Sequence, residues 1–395
     1  MSRAASTDAA GTRRGVELAD ILRAHGHAPR LLLDQARVVN ALTACRTAQL
    51  GGHREHCDDC GFQRFAYNSC RNRHCPKCQS LTKAQWLEAR RAELLPVPYF
   101  HVVFTLPHEL NRLVLAQKRP MLNLLFAAAA DTLKRFGHNR FGGRVGFTMI
   151  LHTWDQTLGP HFHLHVIIAA GALADDNQRW VPGQPNFLFP VHALSRVFRG
   201  TFLHGLRRLA QRGRLAYDAD ELDPLLSALR RKPWVVYAKK PFAGPEPVLN
   251  YLGRYTHRVA ISNDRILDLT DGAVTFAYRD RARGDVPRTM TLPADEFVRR
   301  FLRHVLPGGF MRIRHFGFLA NRAKTDALAR CRQLLAVEPP TPMEPRTAAE
   351  WVLHLTGIDV TRCPHCGRGP LIRTDLRPAP NLGGHLRPPP VFDSS

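Results

Sequence analysis

The chain has 395 residues, of which 56 are Lys or Arg and 33 are Asp or Glu, so its formal net charge is +23. At 44% hydrophobic and 23% charged residues it can bury ordinary cores, which excludes an intrinsically disordered chain, and its length suggests two or three domains. No window reaches the roughly 18 consecutive apolar residues of a membrane span, and the opening MSRAASTDAAGTRRG lacks the apolar stretch of a secretory signal, so a cytoplasmic protein with no membrane partner is expected.

Residues 1–15 read as a disordered tail, and from Val16 apolar positions recur at helical spacing through Leu42. A cysteine-rich stretch follows, then a helix over Ser80–Leu95 that Pro96 and Pro98 stop, which closes a helical, zinc-binding domain at 16–95. Tyr99–Leu106 is strand-like, and a Leu/Ala pattern to about Phe136 suits helices. Arg144–Trp154 and His161–Ala170 are strand-like runs separated by the turn Asp155–Pro160, so an antiparallel hairpin is expected. Helices are predicted over Val191–Arg212, Asp220–Leu229 and Pro247–Thr256, with strands over Trp234–Ala238, Arg258–Ser262, Arg265–Leu269 and Val274–Tyr278. These make a catalytic α+β domain of antiparallel sheet and helices over 96–305. A basic helical segment over 306–338, then a Pro-rich linker, a Cys-x2-Cys knuckle and a tail over 339–395, complete the chain.

The excess charge points to a polyanion. Arg supplies 48 of the 56 basic residues and forks phosphate, and no amphipathic anchor is evident, so nucleic acid leads over an anionic membrane. An Arg-, Ala-, Leu- and Pro-rich chain also follows from a GC-rich genome, so charge alone does not name the partner.

Six of nine cysteines lie between Cys45 and Cys78, which in a reducing compartment indicates metal rather than disulfides. Cys57-x2-Cys60 and Cys75-x2-Cys78 are two knuckles with zinc-ribbon spacing, expected to hold one structural zinc between them. Cys45, His53, Cys70 and His74 interleave with them and suffice for a second tetrahedral site. Arg71, Arg73 and Lys77 on the same loops are candidate phosphate contacts. Cys363-x2-Cys366 is half a ribbon, for which His354, His385 or Cys331 are the candidate partners.

On a strand, His161, His163 and His165 share one face while Phe162, Leu164 and Val166 pack on the other. A turn centred between Thr157 and Leu158 places His152 opposite His163, giving a third ligand for a divalent ion and leaving positions for water and a phosphate oxygen. Asp155, Gln156 and His161 compete for that third place. Tyr251 and Tyr255 are four apart, so both phenols leave one face of the predicted helix among Arg254, His257 and Arg258. Such a pair alone is more often core, and the histidine strand favours a catalytic reading.

The zinc segment SCRNRHCPKCQ (Ser69–Gln79), the strand HFHLH, YLGRYTHRVAISN (Tyr251–Asn263) and the basic FMRIRHFG (Phe310–Gly317) together resemble the IS91-type transposases over roughly residues 30–370. These are HUH endonucleases of rolling-circle insertion sequences. The resemblance implies a Mg²⁺ or Mn²⁺ ion on His163 and His165, nucleophilic Tyr251 and Tyr255, single-stranded transposon-end DNA as substrate and a 5′-phosphotyrosine intermediate. It also implies DNA contacts from Arg254, Arg258, Arg312 and Arg314. Phe162 stands where relatives usually have Pro, and Asp155 where Gly is common; neither change removes a catalytic group. Two rival readings use fewer features. A histidine-triad nucleotide hydrolase would explain His161-Phe-His163-Leu-His165 but neither the tyrosines nor the charge, and a non-catalytic zinc-dependent DNA-binding protein would explain the cysteines alone.

Overall fold

The computed structural model describes residues 15–26, 31–216, 219–239, 242, 247–249, 251, 253, 259–280, 283–341 and 344–379. Two compact units emerge: Leu18–Leu81 with Glu344–Ser395, and Thr82–Met343 together with Met1–Glu17. In sequence, the larger unit interrupts the smaller. The boundaries therefore differ from those expected at 95, 305 and 338, while the tail at 1–14 lies outside the described residues. Among the described residues no helix is long and apolar enough to cross a membrane.

In chain order the elements are α1 (Leu18–His25), α2 (Leu33–Ala44), β1 (Gly52–His56), β2 (Gln63–Tyr67), α3 (Gln79–Arg91), β3 (Tyr99–Thr105), α4 (Asn111–Ala116) and α5 (Lys118–Phe141). There follow β4 (Gly143–Trp154), β5 (Pro160–Ala174), β6 (Trp180–Pro182), α6 (Val191–Gln211), α7 (Ala219–Arg231), β7 (Val236–Ala238), β8 (Ile266–Thr270), β9 (Ala273–Asp280) and β10 (Val286–Pro293). The last are α8 (Ala294–Leu302), β11 (Ile313–Phe316), α9 (Lys324–Leu334), α10 (Ala348–Thr356) and β12 (Ile372–Leu376).

The smaller unit is a three-stranded antiparallel sheet in the order β12-β1-β2, so the chain's last described strand lies against one of its first. Glu55 in the central strand opposes Arg64 on one side and Arg373 on the other. Its carboxylate, 2% exposed, takes both guanidinium groups at 2.5 and 3.0 Å and His53 Nε2 at 3.0 Å. Burial pushes that carboxyl upward, but the Arg64 pair with the His53 bond and Arg373 outweighs it and holds the group below the usual Glu value.

The larger unit is built on a six-stranded antiparallel sheet, β11-β4-β5-β3-β7 with β6 paired to β5. Its central strands β4, β5 and β3 are buried on both faces, which explains their nearly continuous apolar runs. Phe162, Leu164, Val166 and Ile168 of β5 join Phe104, Phe126, Phe198 and Phe202 in one core, while Ile167 and Ala169 join Ile150, Val248 and Phe318 in the other. The alternation thus turns His163 and His165 to the second face. Ile313–Phe316, expected within a basic helical segment, is instead an edge strand of this sheet, paired with Phe147–Ile150. The expected strand at Arg258–Ser262 does not form over its described part, residues 259–262, which lead into a short 3-10 turn at Asn263–Arg265.

Candidate functional site

The hairpin places His152 opposite His163 and Ile150 opposite His165 in the β4–β5 register. Asp155 fixes the turn: its Oδ1 accepts from the Thr157 N–H at 2.8 Å, the Gly159 N–H at 2.7 Å and the Thr157 hydroxyl at 2.9 Å. That carboxylate is thereby a turn-former and does not join the histidines. The Gln156 carbonyl is held by Arg265, and the exposed His161 stays outside the converging set.

His152, His163 and His165 do converge, with one ring nitrogen of each within 4.8 Å of the others. All three are buried, at 4, 8 and 7% exposure. His163 Nδ1 lies 3.0 Å from the His161 carbonyl, which can only accept, so this nitrogen carries the proton and Nε2 offers its lone pair. That Nε2 is 3.1 Å from His165 Nε2, a spacing suited to a shared cation. Three nitrogen donors without a carboxylate fit Mn²⁺ better than the oxygen-preferring Mg²⁺.

On the far side of His165 stands Tyr251, in helical backbone and 8% exposed. Its Oη lies 3.0 Å from His165 Nδ1 and 2.5 Å from His101 Nε2, and those two nitrogens are themselves 3.0 Å apart. His101, in β3, is the functional candidate that sequence reasoning missed. Burial, with Lys239 adding to it, draws His101 down to about 3, so it is uncharged at neutral pH. If His165 Nε2 faces a cation, its Nδ1 carries a proton, which leaves His101 Nε2 as the acceptor in the triangle. Tyr255, Arg254 and Arg258 lie outside the described residues.

The thiols group differently from the sequence expectation. Cys75 and Cys78 meet Cys45 and Cys70, while Cys57 and Cys60 meet Cys363 and Cys366. In the first cluster the Sγ atoms lie 3.2 Å (Cys45–Cys78), 3.4 Å (Cys75–Cys78), 3.6 Å (Cys70–Cys78) and 3.7 Å (Cys45–Cys75) apart. Tetrahedral zinc with Zn–S bonds of about 2.3 Å places its sulfurs about 3.8 Å apart, so the set fits. Hydrogen bonds from Cys70 and Cys75 draw Cys45 down to about 7. Neither predicted histidine belongs to it: His53 is engaged by Glu55, and the His74 N–H donates to Asn72 Oδ1. The partners expected for Cys363 and Cys366 also differ, since Cys331 is buried in a core of the larger unit, His354 stacks edge-on near Trp351 and His385 is outside the described residues.

Of the basic candidates, Arg71, Arg73 and Lys77 sit on the loop that carries the first thiol cluster, with Arg71 exposed. Arg312 precedes β11 and its carbonyl accepts from the Leu151 N–H at 2.8 Å. Arg314 lies over the Phe126 ring at 4.1 Å and donates to Asn123 at 2.6 Å, so much of its guanidinium serves packing.

Four-thiol clusters thus lie in one unit, and imidazoles beside a tyrosine on an antiparallel sheet in the other. The family model described as "Transposase zinc-binding domain" matches residues 18–106, and one described as "Putative transposase" matches residues 146–326. The chain is 46% identical to the protein named "Putative transposase y4qJ" of Sinorhizobium fredii (strain NBRC 101917 / NGR234), covering 97% of this chain and all of that one. It is 32% identical to the transposase for insertion sequence element IS801 of Pseudomonas savastanoi pv. phaseolicola, covering 84% of this chain and 82% of that one. The chain belongs to the IS91-type transposases. A solved conjugative relaxase TrwC in complex with mutant OriT DNA covers 60% of the chain and 74% of its own at 13% identity, with a TM-score of 0.24, a likeness too slight to bear on chemistry.

Proposed function

We propose that this transposase cleaves and rejoins single-stranded ends of a rolling-circle insertion sequence through a 5′-phosphotyrosine on Tyr251, with Tyr255 as the second nucleophile. The observation that carries this reading is the 3.0 Å hydrogen bond between Tyr251 Oη and His165 Nδ1, the far nitrogen of a ring whose Nε2 meets His163. A divalent ion held by His152, His163 and His165 supplies, when bound, polarisation of the scissile phosphate. His165 Nδ1–H then donates to the phenol oxygen and His101 Nε2 accepts from Oη, so the two imidazoles fix the position of the phenol. Attack by Oη forms the P–O(Tyr) bond and breaks the P–O3′ bond, leaving a free 3′-hydroxyl. The energy of the broken bond is kept in the ester, so rejoining needs no nucleotide cofactor.

Cys45, Cys70, Cys75 and Cys78 hold a structural zinc beside Arg71, Arg73 and Lys77, which contact the DNA backbone from that module. Arg254, Arg258, Arg312 and Arg314 are the candidate DNA-backbone contacts of the larger unit, and the reaction belongs at the cytoplasmic nucleoid.

The test is incubation of the full chain with labelled single-stranded element-end DNA and Mn²⁺ or Mg²⁺, followed by denaturing electrophoresis. A covalent protein–DNA band is expected, lost with chelator, with the His163→Ala, His165→Ala pair and with the Tyr251→Phe, Tyr255→Phe pair. An adduct that persists in the double tyrosine variant would sink the two-tyrosine mechanism and move His163 forward as nucleophile.

A further inference from the structure

The zinc-binding family match ends at residue 106, yet the smaller unit contains a second four-thiol cluster, half of which comes from the far end of the chain. Cys57 Sγ lies 3.8 Å from Cys366 Sγ, and Cys60 Sγ lies 3.6 Å from Cys363 Sγ, across sequence separations of 309 and 303 residues. Both spacings fit two sulfurs on one tetrahedral ion, and all four sulfurs fall within 4.8 Å of one another. They are far longer than a disulfide's bond of about 2.05 Å.

The two halves are built alike. Each is Cys-x2-Cys-Gly, with the glycine in the left-handed region at φ +72° (Gly61) and +69° (Gly367). In each, that glycine's N–H donates to the carbonyl of the first cysteine, at 2.9 Å for Gly61→Cys57 and 2.9 Å for Gly367→Cys363. The first cysteine's own N–H closes each loop, onto the Phe62 carbonyl at 2.9 Å and the Gly369 carbonyl at 2.8 Å. The first knuckle leads into β2 and the second into β12, the two strands that flank β1. Matching turns, each aiming two sulfurs at the same point, are how a ribbon builds a metal site. The knuckles also pack closely: a Cβ on Gly369 would come within 2.5 Å of Cys57 Sγ and 2.8 Å of Asp59 Oδ2.

We propose that Cys57, Cys60, Cys363 and Cys366 form a second tetrathiolate zinc site that joins the two ends of the chain, so the zinc module is complete only after the whole catalytic unit, Thr82–Met343, has been synthesised. The Arg64–Glu55–Arg373 ion pairs stitch the same three strands without using any of the four thiols. A product truncated after the catalytic unit therefore retains the first zinc cluster but lacks both β12 and half of the second.

Zinc content of the purified full chain, measured by plasma mass spectrometry, tests this without reference to DNA cleavage. The parent is expected to carry two zinc per chain. The Cys363→Ser, Cys366→Ser pair should carry one, the Cys57→Ser, Cys60→Ser pair one, and the variant with all four replaced still one, because the two knuckles share a single ion. Two zinc retained by the Cys363→Ser, Cys366→Ser variant, or a further equivalent lost on combining the pairs, overturns the proposal. If these variants do not fold, N-ethylmaleimide labelling of the parent decides. Cys57, Cys60, Cys363 and Cys366 should be protected together and become reactive together as a chelator withdraws one zinc. Labelling of Cys363 and Cys366 while Cys57 and Cys60 stay protected refutes it.

Discussion

Replacing His101 by Phe tests whether Tyr251 is poised for chemistry or only packed. Phe is the larger ring, so no cavity is left in the 2%-exposed site, and the melting control reports any overpacking. What disappears is the acceptor 2.5 Å from Tyr251 Oη and its 3.0 Å contact with His165 Nδ1. His101 Nε2 has one lone pair and accepts one hydrogen bond, so at about 1–1.5 kcal/mol for a buried bond the loss is about 5- to 13-fold if it falls on the transition state. Partners of a metal-ligating histidine commonly matter at this level. The assay is the rate of covalent adduct formation on single-stranded end DNA across a Mn²⁺ titration, with thermal melting as the folding control. A positioning role predicts a slower rate at saturating Mn²⁺ with little change in the Mn²⁺ half-saturation, because His165 keeps the phenol as its partner, and partial rescue in His101→Gln, whose carbonyl can accept from Oη. An adduct rate within threefold of the parent, in a variant that melts normally, refutes the reasoning.

Two further outcomes follow from packing and burial. Gly317, at φ +65°, carries the turn after β11, and a Cβ there would lie 1.5 Å from the Val145 carbonyl oxygen, so Gly317→Ala should cost about 3 kcal/mol or more and lower the melting temperature of the larger unit; an unchanged melt would show that β4 yields more easily than its pairing suggests. Burial, with Lys118 adding to it, depresses His304 to about 4, so its contribution is complete above the unfolded value of 6.5 and declines as pH falls from there toward 4, by roughly 2 kcal/mol between about pH 7 and 5. Chemical denaturation at the two pH values checks this, and a His304→Gln variant whose pH dependence equals the parent's would remove His304 as the cause.

The hairpin was legible because two local signals agree. A polar turn with Gly159 and Pro160 fixes where the chain reverses, and period-two alternation then dictates which residues face each other, so His152 opposite His163 follows from arithmetic. The zinc ligands were not legible in the same way. A Cys-x2-Cys knuckle shows that two thiolates share an ion but says nothing about the other two, and proximity in sequence favoured pairing Cys57-x2-Cys60 with Cys75-x2-Cys78. The fold instead brings Cys363 and Cys366 back through β12, whose pairing with β1 is non-local and leaves no local trace. The short β11 was hidden for a related reason: four residues, Ile-Arg-His-Phe, are too few for a period to show, and their basic side chains read as a charged segment.

His101 is the most instructive omission. Within the apolar run YFHVVFT a single histidine has the pattern of a residue buried with its polar atoms satisfied, and nothing local distinguishes that from a functional one. Its meaning arises from β3 pairing with β5, which sets His101 opposite Ile167 and Val103 opposite His165, so that His101 and His165 share a face one diagonal step apart. Tyr251 then adds a hydroxyl to two nitrogens that already lie 3.0 Å from each other. One apolar core holds the opposite face of β5 through Phe162, Leu164 and Val166, so the imidazoles inherit the rigidity of a close-packed sheet. Substitutions at Phe162 or Leu164 should accordingly disturb the geometry of His163 and His165 although neither residue touches the reacting atoms.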